Sequence, residues 1–314
     1  MYQVLLYYKY VDIDNPQKIA STHEEVCKAL RLKGRVLISE NGINGTLGGE
    51  KESIEKYKNY TKQHELLSGI DFKESESEEL PFPDLSVKHR DELVTTDAKE
   101  QYNICNRAQH IKPKTLHLWM QQEQDNLVLL DMRNDYEWRI GRFKGVVRPP
   151  MKYFRDLPEN LGFYEQFKGK KIVLFCTGGI RCEPASAMLI NNGFDPDNLY
   201  QLEGGIMKYV DKYGDEGFYI GDCFVFDDRV SIEVDDSIPS ECDICNEPCK
   251  KYRNCMNKHC NKLFIGCNGC MKELNNACSQ ECKDFIQNPD NKRPEASNHF
   301  RPKHRNKGTV CSKS

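Results

Sequence analysis

The 314 residues give length for two or three domains with real cores, and the net charge of −3 carries no global basic signal for nucleic acid. No run of eighteen apolar residues occurs, which argues against a membrane span. The opening Met1-Tyr2-Gln3-Val4-Leu5-Leu6 has neither a charged n-region nor a cleavage site, so secretion is not expected. Of the 15 cysteines, nine fall from Cys242 to Cys282 in closely spaced pairs, the spacing of metal ligands. With no signal peptide, a reducing cytoplasm is the expected compartment.

Residues 2–8 read as a strand. Ile19, Val26, Cys27 and Leu30, with His23 on the same face, predict a helix from about Asn15 to Lys33. Gly34 ends it, and Arg35-Val36-Leu37-Ile38-Ser39 predicts a second strand. Two Asn-Gly pairs, Asn41-Gly42 and Asn44-Gly45, favour a hairpin. Ile54, Tyr57 and Tyr60 mark another helix, and Gly69 to Glu74 a last strand. The order β-α-β-β-α-β predicts a ferredoxin-like α+β domain over residues 1–75.

Glu74 to Glu79 is an acidic, Ser-interleaved run expected to be a solvated loop, and residues 76–112 read as a connector. Within the connector, His89-Arg90-Asp91 formally holds the His-x-Asp of an iron triad, but no set of short strands frames it, so iron is set aside. Lys88 and Arg90 are open to two readings, phosphate contacts or a solvated charged face.

From Pro113 strands alternate with helices, predicting a parallel sheet covered on both faces over residues 113–215. A helix spans Thr115 to Gln122, and Asn126 to Asp131 is a buried strand leading into Met132-Arg133. A helix follows near Asp135-Tyr136-Glu137, then a brief strand at Gly145-Val146-Val147. Lys171 to Phe175 is another buried strand, followed by Cys176-Thr177-Gly178-Gly179-Ile180-Arg181-Cys182-Glu183-Pro184 and a helix. Asn198 to Leu202 gives the last strand, and Glu203-Gly204-Gly205-Ile206 leads into a helix near Tyr209.

A strand, a glycine-containing loop and a helix hold the Cys176 thiol at a helix N-terminus inside a ring of backbone N–H groups. Those donors, together with Arg181, favour the nucleophilic thiolate. The competing reading is a buried structural cysteine in an ordinary βα turn.

Asp131-Met132-Arg133, the loop from Cys176 to Arg181, and Leu202-Glu203-Gly204-Gly205-Ile206 together resemble a rhodanese domain, whose loop cysteine carries sulfur as a persulfide. A cysteine phosphatase is the rival reading. Its loop places five residues between Cys and Arg where this one has four, and the shorter ring suits a thiolate or a sulfur-sized group better than phosphate. Longer strings sharpen the resemblance: Gly42-Ile43-Asn44-Gly45-Thr46-Leu47, Asp135-Tyr136-Glu137 with Ile140 to Gly145, Phe175 to Glu183, and Cys223 to Arg229. These are very similar to the rhodanese-like tRNA uridine hydroxylases over residues 2–285.

That resemblance implies an N-terminal acylphosphatase-like domain before a single rhodanese domain. It also implies oxidation of the wobble uridine of certain tRNAs to 5-hydroxyuridine with molecular oxygen, Cys176 being the active residue. No G-x-G-x-x-G follows a strand, so no flavin or nicotinamide site is expected. A thiolate mechanism would have Cys176 add to C6 of uridine, making C5 carbanion-like and able to react with oxygen. Arg181 and the loop amides of Thr177, Gly178, Gly179 and Ile180 would orient the base and stabilise the developing charge. Cys182 either resolves an oxidised Cys176 or packs as a small apolar residue. Asp131 and Arg133 read as a structural ion pair behind the loop. A sulfurtransferase moving sulfane sulfur on Cys176 is the alternative enzyme, and an RNA-binding adaptor without catalysis the third reading.

Residues 216–285 read as a cysteine-rich region. Cys242-x2-Cys245 and Cys267-x2-Cys270 have the spacing of a four-thiolate zinc site. Cys255, Cys260, Cys278 and Cys282 can supply a second set, with Cys249 spare or replacing one member. Disulfides are the other reading. Residues 286–314, including Arg301-Pro302-Lys303-His304-Arg305-Asn306-Lys307, read as a disordered basic tail able to meet a tRNA backbone or only to solubilise the chain. The oligomeric state is left open.

Overall fold

The computed structural model describes residues 1–122 and 125–288; Ile286 and Gln287, expected in the basic tail, instead close a helix, and the tail from residue 289 lies outside the described residues. The chain divides into two compact units, Met1–Ser237 and Ile238–Ser314.

The first unit begins with β1 (Tyr2–Tyr10), α1 (Pro16–Ala29), β2 (Lys33–Ser39), β3 (Gly42–Glu50), α2 (Lys51–Gln63) and β4 (Lys73–Ser77). The strands pair in the order β4-β1-β3-β2, the ferredoxin-like arrangement expected from the sequence, and β5 (Leu85–His89) adds to the outer edge of β2 in parallel. Asn15 caps α1 by accepting from the amide of Lys18 at 3.0 Å, and Pro16 follows at the first helical position. The helices cover one face of the sheet, burying Ala20, Cys27, Ile54 and Tyr57 against Leu5, Tyr7, Ile38 and Leu47.

Four local expectations differ from the fold. Only Asn41-Gly42 sits at the hairpin; Asn44-Gly45 lies inside β3, where Tyr7 is the register partner of Gly45. A Cβ on Gly45 would lie 2.4 Å from the Tyr7 ring, so that glycine makes room for an aromatic side chain rather than a turn. The final strand starts at Lys73 rather than Gly69, and the acidic run forms it as far as Ser77. Its pattern is strand-like: Lys73 is buried, while Glu74 and Glu76 alternate outward into solvent. Residues 85–89, within the predicted connector, form an edge strand, where Lys88 is exposed and His89 closes the element.

The remainder of this unit contains β6 (Gln109–Ile111), α3 (Pro113–Gln121), β7 (Leu127–Asp131), α4 (Asp135–Ile140), β8 (Gly141–Phe143) and α5 (Leu161–Tyr164). There follow β9 (Lys171–Phe175), α6 (Cys182–Asn191), β10 (Leu199–Leu202), α7 (Gly205–Tyr213), β11 (Tyr219–Phe224) and β12 (Ser231–Glu233). The sheet β6-β10-β9-β7 is parallel throughout, with β9 central. Along β9, Ile172 and Leu174 face a core containing Ala185, Met188 and Leu189 of α6. Val173 and Phe175 face the opposite core with Leu116 of α3 and Ile206 and Tyr209 of α7. Burial on both faces explains why β7 and β9 are continuous apolar runs.

The brief strand predicted at 145–147 is reduced to one bridge, Val147 to Leu130. Gly145 turns there with φ +71°, and the true strand is β8 just before it, antiparallel to β11.

The second unit is small. It holds β13 (Tyr252–Asn254) and β14 (Leu263–Ile265) as an antiparallel pair, then α8 (Asn268–Glu273) and α9 (Gln280–Gln287). Among the described residues, no helix is long and apolar enough to cross a membrane.

Candidate active site

β9 delivers Cys176 to the carboxyl edge of the parallel sheet, where open α/β sheets place their reactive groups. The loop then curls around the sulfur: the Gly179 amide donates to Cys176 Sγ at 3.1 Å, and Gly179 adopts φ +103° to make that possible. The outward carbonyls of this ring are held from behind. The amides of Ile206 and Met207, in the first turn of α7, donate to the carbonyls of Cys176 and Thr177 at 2.9 and 3.0 Å. Gly205, with φ +64°, lies so close that a Cβ there would stand 2.4 Å from the Cys176 oxygen. The Leu202–Ile206 motif is therefore the brace of the loop.

Burial raises the Cys176 pKa, but other groups overcome it and bring the thiol down from 9.0 to about 6. In order, these are a hydrogen bond from Cys182, the charge of Arg181, and the backbone amides of Arg181 and Gly179. Cys182 moves the opposite way: burial and the neighbouring Cys176 anion push it well above 9.0, so it stays a thiol and donates. Both cysteines are free and fully buried.

Arg181 does not reach out freely as the sequence suggests. Its Nη1 and Nη2 grip the two carboxylate oxygens of Glu137, the Nη2 bond being 2.6 Å. Thr177 Oγ1 donates to the same carboxylate at 2.9 Å, and the Asn134 amide does so at 3.0 Å. Glu137 is wholly buried; burial raises its pKa, but Arg181 and then Arg133 hold it below the usual carboxylate range. Glu137 lies in a string the sequence singles out, but nothing in that string announces a carboxylate beneath a loop 40 residues onward.

Asp131 and Arg133 form a buried ion pair, with Arg133 Nε and Nη2 at 2.9 and 2.7 Å from the carboxylate. Arg133 also donates to the Gly141 carbonyl at 2.7 Å and the Tyr219 hydroxyl at 3.1 Å, tying β7 to β8 and β11. They make these contacts behind the loop and not at its sulfur.

The N-terminal domain roofs the loop, which sequence periodicity could not show. A Cβ on Gly178 would stand 2.9 Å from Leu6, and one on Gly179 would stand 2.9 Å from the Tyr8 hydroxyl. Tyr8 donates to Glu183 at 2.9 Å. Glu183, in the first turn of α6, also meets His110, Arg107 and Gln201 at 3.1, 3.1 and 3.0 Å. A cleft opens beside this roof, lined by Leu6, Lys73, Thr177, Met207, Phe226 and Arg229.

In the second unit, the sulfurs of Cys242, Cys245, Cys267 and Cys270 lie within 4.8 Å of one another, as do those of Cys255, Cys260, Cys278 and Cys282. Four thiolates around zinc at about 2.3 Å stand about 3.8 Å apart along each tetrahedral edge. The separations Cys245–Cys267, Cys260–Cys278 and Cys278–Cys282 are 3.7, 3.6 and 3.8 Å. Backbone amides of Cys267, Cys270 and Cys278 point at sulfurs of these sets, as thiolates require. Each set could hold a metal ion. Cys249 is buried outside both, and among the described residues no such cluster includes His89 or Asp91.

Family models match the chain in three blocks: a UPF0176 acylphosphatase like domain over residues 2–93, a Rhodanese-like domain over 113–212, and a Rhodanase C-terminal region over 220–283. The fold and the Cys176 loop thus define a rhodanese-type protein preceded by an acylphosphatase-like domain. Relatives named tRNA uridine(34) hydroxylase are similar along nearly the whole length. The Bacillus licheniformis protein is 40% identical over 297 residues, covering 91% of this chain and 90% of the relative. That of Staphylococcus epidermidis is 40% identical over 293 residues, covering 91% and 90%, and that of Chlamydia felis 38% over 292, covering 90% and 87%. The chain belongs to the tRNA uridine(34) hydroxylase family.

Proposed function

We propose that this chain hydroxylates uridine 34 of tRNA to 5-hydroxyuridine, with molecular oxygen as co-substrate and Cys176 as the reacting nucleophile. The observation that carries the reading is the Cys176 loop, whose donors and Arg181 bring the thiol down to about 6, in a chain about 40% identical along nine-tenths of its length to relatives named tRNA uridine(34) hydroxylase. The Cys176 thiolate adds to C6, and the C5–C6 π pair moves onto C5 and the O4 carbonyl. C5 then attacks oxygen and, with a proton, gives a C5 hydroperoxide. Loss of the C5 proton expels Cys176 and restores the double bond. Two thiols, Cys176 and Cys182, reduce the O–O bond, leaving the 5-hydroxyl, water and a Cys176–Cys182 disulfide that a cellular thiol reopens.

Cys182 is then both the donor that lowers the Cys176 pKa and the resolving thiol. Cys176, braced by α7, needs the roof of Leu6 and Tyr8 to lift before a nucleobase can reach its sulfur. In the second unit two zinc ions would sit on the two cysteine quartets and supply folding energy that its small apolar core cannot. tRNA is the partner, with the basic tail as a backbone contact, and the cytoplasm is the compartment. In this reading the N-terminal domain runs past residue 75 to include β4 and β5, the rhodanese domain runs past residue 215 to take in β11 and β12, and the cysteine-rich region runs past residue 285 to the end of α9.

Mass spectrometry of tRNA nucleosides from a deletion strain tests the function. Loss of 5-hydroxyuridine derivatives, restored by the intact chain and not by Cys176→Ser, is the expected result. Loss of thiolated nucleosides instead would make the chain a sulfurtransferase.

A further inference from the structure

Among the described residues, one Phe, Tyr or Trp side chain is exposed: Phe226, at 43%. It stands in the turn after β11, and the Arg181 guanidinium lies 5.7 Å from its ring centre, so the ring marks the outer edge of the Cys176 loop. A lone exposed ring carries little by itself; its surroundings give it meaning. Phe226 ends an aromatic row. It meets Phe224 edge-on at 5.4 Å, and Phe224 meets Tyr136 of α4 edge-on at 5.0 Å. Asn134 ties the row to the turn beyond: its Nδ2 donates to the Tyr136 hydroxyl at 2.8 Å, and its Oδ1 accepts from the Phe154 amide at 2.8 Å.

In that turn two cations lie over the Tyr153 ring, Lys152 Nζ at 5.5 Å and Arg155 Cζ at 4.9 Å from its centre. Asp156 fixes the turn by accepting from the amides of Lys152 and Tyr153 at 3.1 and 2.8 Å. The charge here departs from that of the chain, which is −3 overall. From residue 139 to residue 155 there are six cations (Arg139, Arg142, Lys144, Arg148, Lys152 and Arg155) and no acid. Arg148 pairs with Asp135, whereas Lys152 and Arg155 are exposed and have no carboxylate partner among the described residues. Asp228 is exposed two residues from Phe226, so contacts to an anion fall on the Lys152–Arg155 side of the rim.

The rim stays with the nucleophile. α4 supplies Tyr136 and, next to it, the Glu137 that binds Thr177 at 2.9 Å and grips Arg181. Lifting Leu6 and Tyr8 therefore leaves Phe226 and the 152–155 turn beside the Cys176 loop. An exposed ring and unpaired cations along one edge match a single strand of RNA, whose bases stack on ring faces while its phosphates follow the cations. With tRNA as the substrate, as the hydroxylase function requires, we propose that this rim receives the anticodon loop. Phe226 stacks a base next to uridine 34, and Lys152 and Arg155 hold phosphates of the same strand.

The test is binding of an anticodon stem-loop RNA carrying uridine 34 to the full-length chain, from about 50 to about 300 mM salt, beside a blunt duplex of the same stem. Lys152→Ala combined with Arg155→Ala weakens the stem-loop about tenfold or more and flattens the slope of log affinity against log salt by about 1.4, the share of two single-strand phosphates. Each change alone gives about half that slope difference. Phe226→Leu keeps an apolar side chain but no ring face; it weakens the stem-loop about fivefold or more at unchanged slope and leaves the duplex within about twofold. Phe226→Trp stays within about twofold of the parent. Lys18→Ala combined with Lys62→Ala removes two exposed cations from the N-terminal helices and leaves affinity within about twofold. Parent-like stem-loop affinity in Phe226→Leu or in the Lys152 and Arg155 double variant, or an equal loss in the Lys18 and Lys62 control, overturns the surface. Near-ultraviolet circular dichroism matching the parent verifies that each variant is folded. If the parent hydroxylates tRNA while these variants bind it as tightly, only the surface fails. If the parent binds through this rim yet forms no 5-hydroxyuridine, the activity fails and the surface stands.

Discussion

Replacing Cys182 with alanine removes the thiol that donates to the Cys176 anion while leaving the loop backbone intact. Burial works against the Cys176 thiolate, and the Cys182 hydrogen bond is the largest of the contributions that overcome it, ahead of Arg181 and the two amides. A hydrogen bond to a charged group contributes about 1.5–3 kcal/mol, and about 1.4 kcal/mol corresponds to a tenfold change in ionisation. The midpoint for ionisation of Cys176 therefore rises from about 6 to between about 7 and 8 in Cys182→Ala. At pH 7 the thiolate fraction falls from about nine-tenths to between about a half and a tenth. The assay is the rate of Cys176 alkylation by iodoacetamide from pH 4.5 to 9.5, followed on the peptide by mass spectrometry. The rate rises with pH because only the thiolate reacts, so acid below the midpoint protects the residue. Cys182→Ser keeps a donor and leaves the midpoint within half a pH unit of the parent. A midpoint that stays near 6 in Cys182→Ala, or that moves equally in both variants, refutes the reasoning.

Glu137→Gln leaves the buried Arg181 guanidinium without its counter-charge and destabilises residues 1–237 by about 3–5 kcal/mol, read as a lower urea midpoint; a change below about 1 kcal/mol contradicts the pairing. Gly205→Ala forces a side chain into the left-handed region and onto the Cys176 carbonyl, so it raises the alkylation midpoint and costs about 2 kcal/mol or more of stability. Elemental analysis finds two zinc ions per chain, and a strong chelator removes both and unfolds residues 238–288, read as lost amide-exchange protection in that segment. One zinc or none, or protection that survives chelation, contradicts the two-site reading.

The architecture was legible because its signals are local. β9 and β7 are apolar runs bounded by turn residues, and α1 carries Asn15 and Pro16 at its start. Errors fell where tertiary contacts override local chemistry: Asn44-Gly45 looks like a turn until Tyr7 is laid across Gly45. The acidic run looks like a loop until its alternation is placed at the edge of a sheet. Within the site, the loop from Cys176 to Arg181 was readable as one contiguous string. Glu137, Tyr8 and Leu6 were not, because they arrive from other elements and only the folded chain sets them against it. The brace supplied by Gly205 is intermediate: its motif is visible, but the carbonyls that require a glycine are not.

The claim on which the account turns is that Cys176 forms a bond to C6 of the wobble uridine. A tRNA carrying 5-fluorouridine at position 34 tests it, because fluorine cannot leave C5 as a proton does and the adduct persists. Incubated with the full chain and digested, it yields a nucleotide-modified peptide with the mass attached at Cys176, absent in Cys176→Ser. Turnover of normal tRNA with no such adduct, or an adduct mapped to another cysteine, contradicts the account.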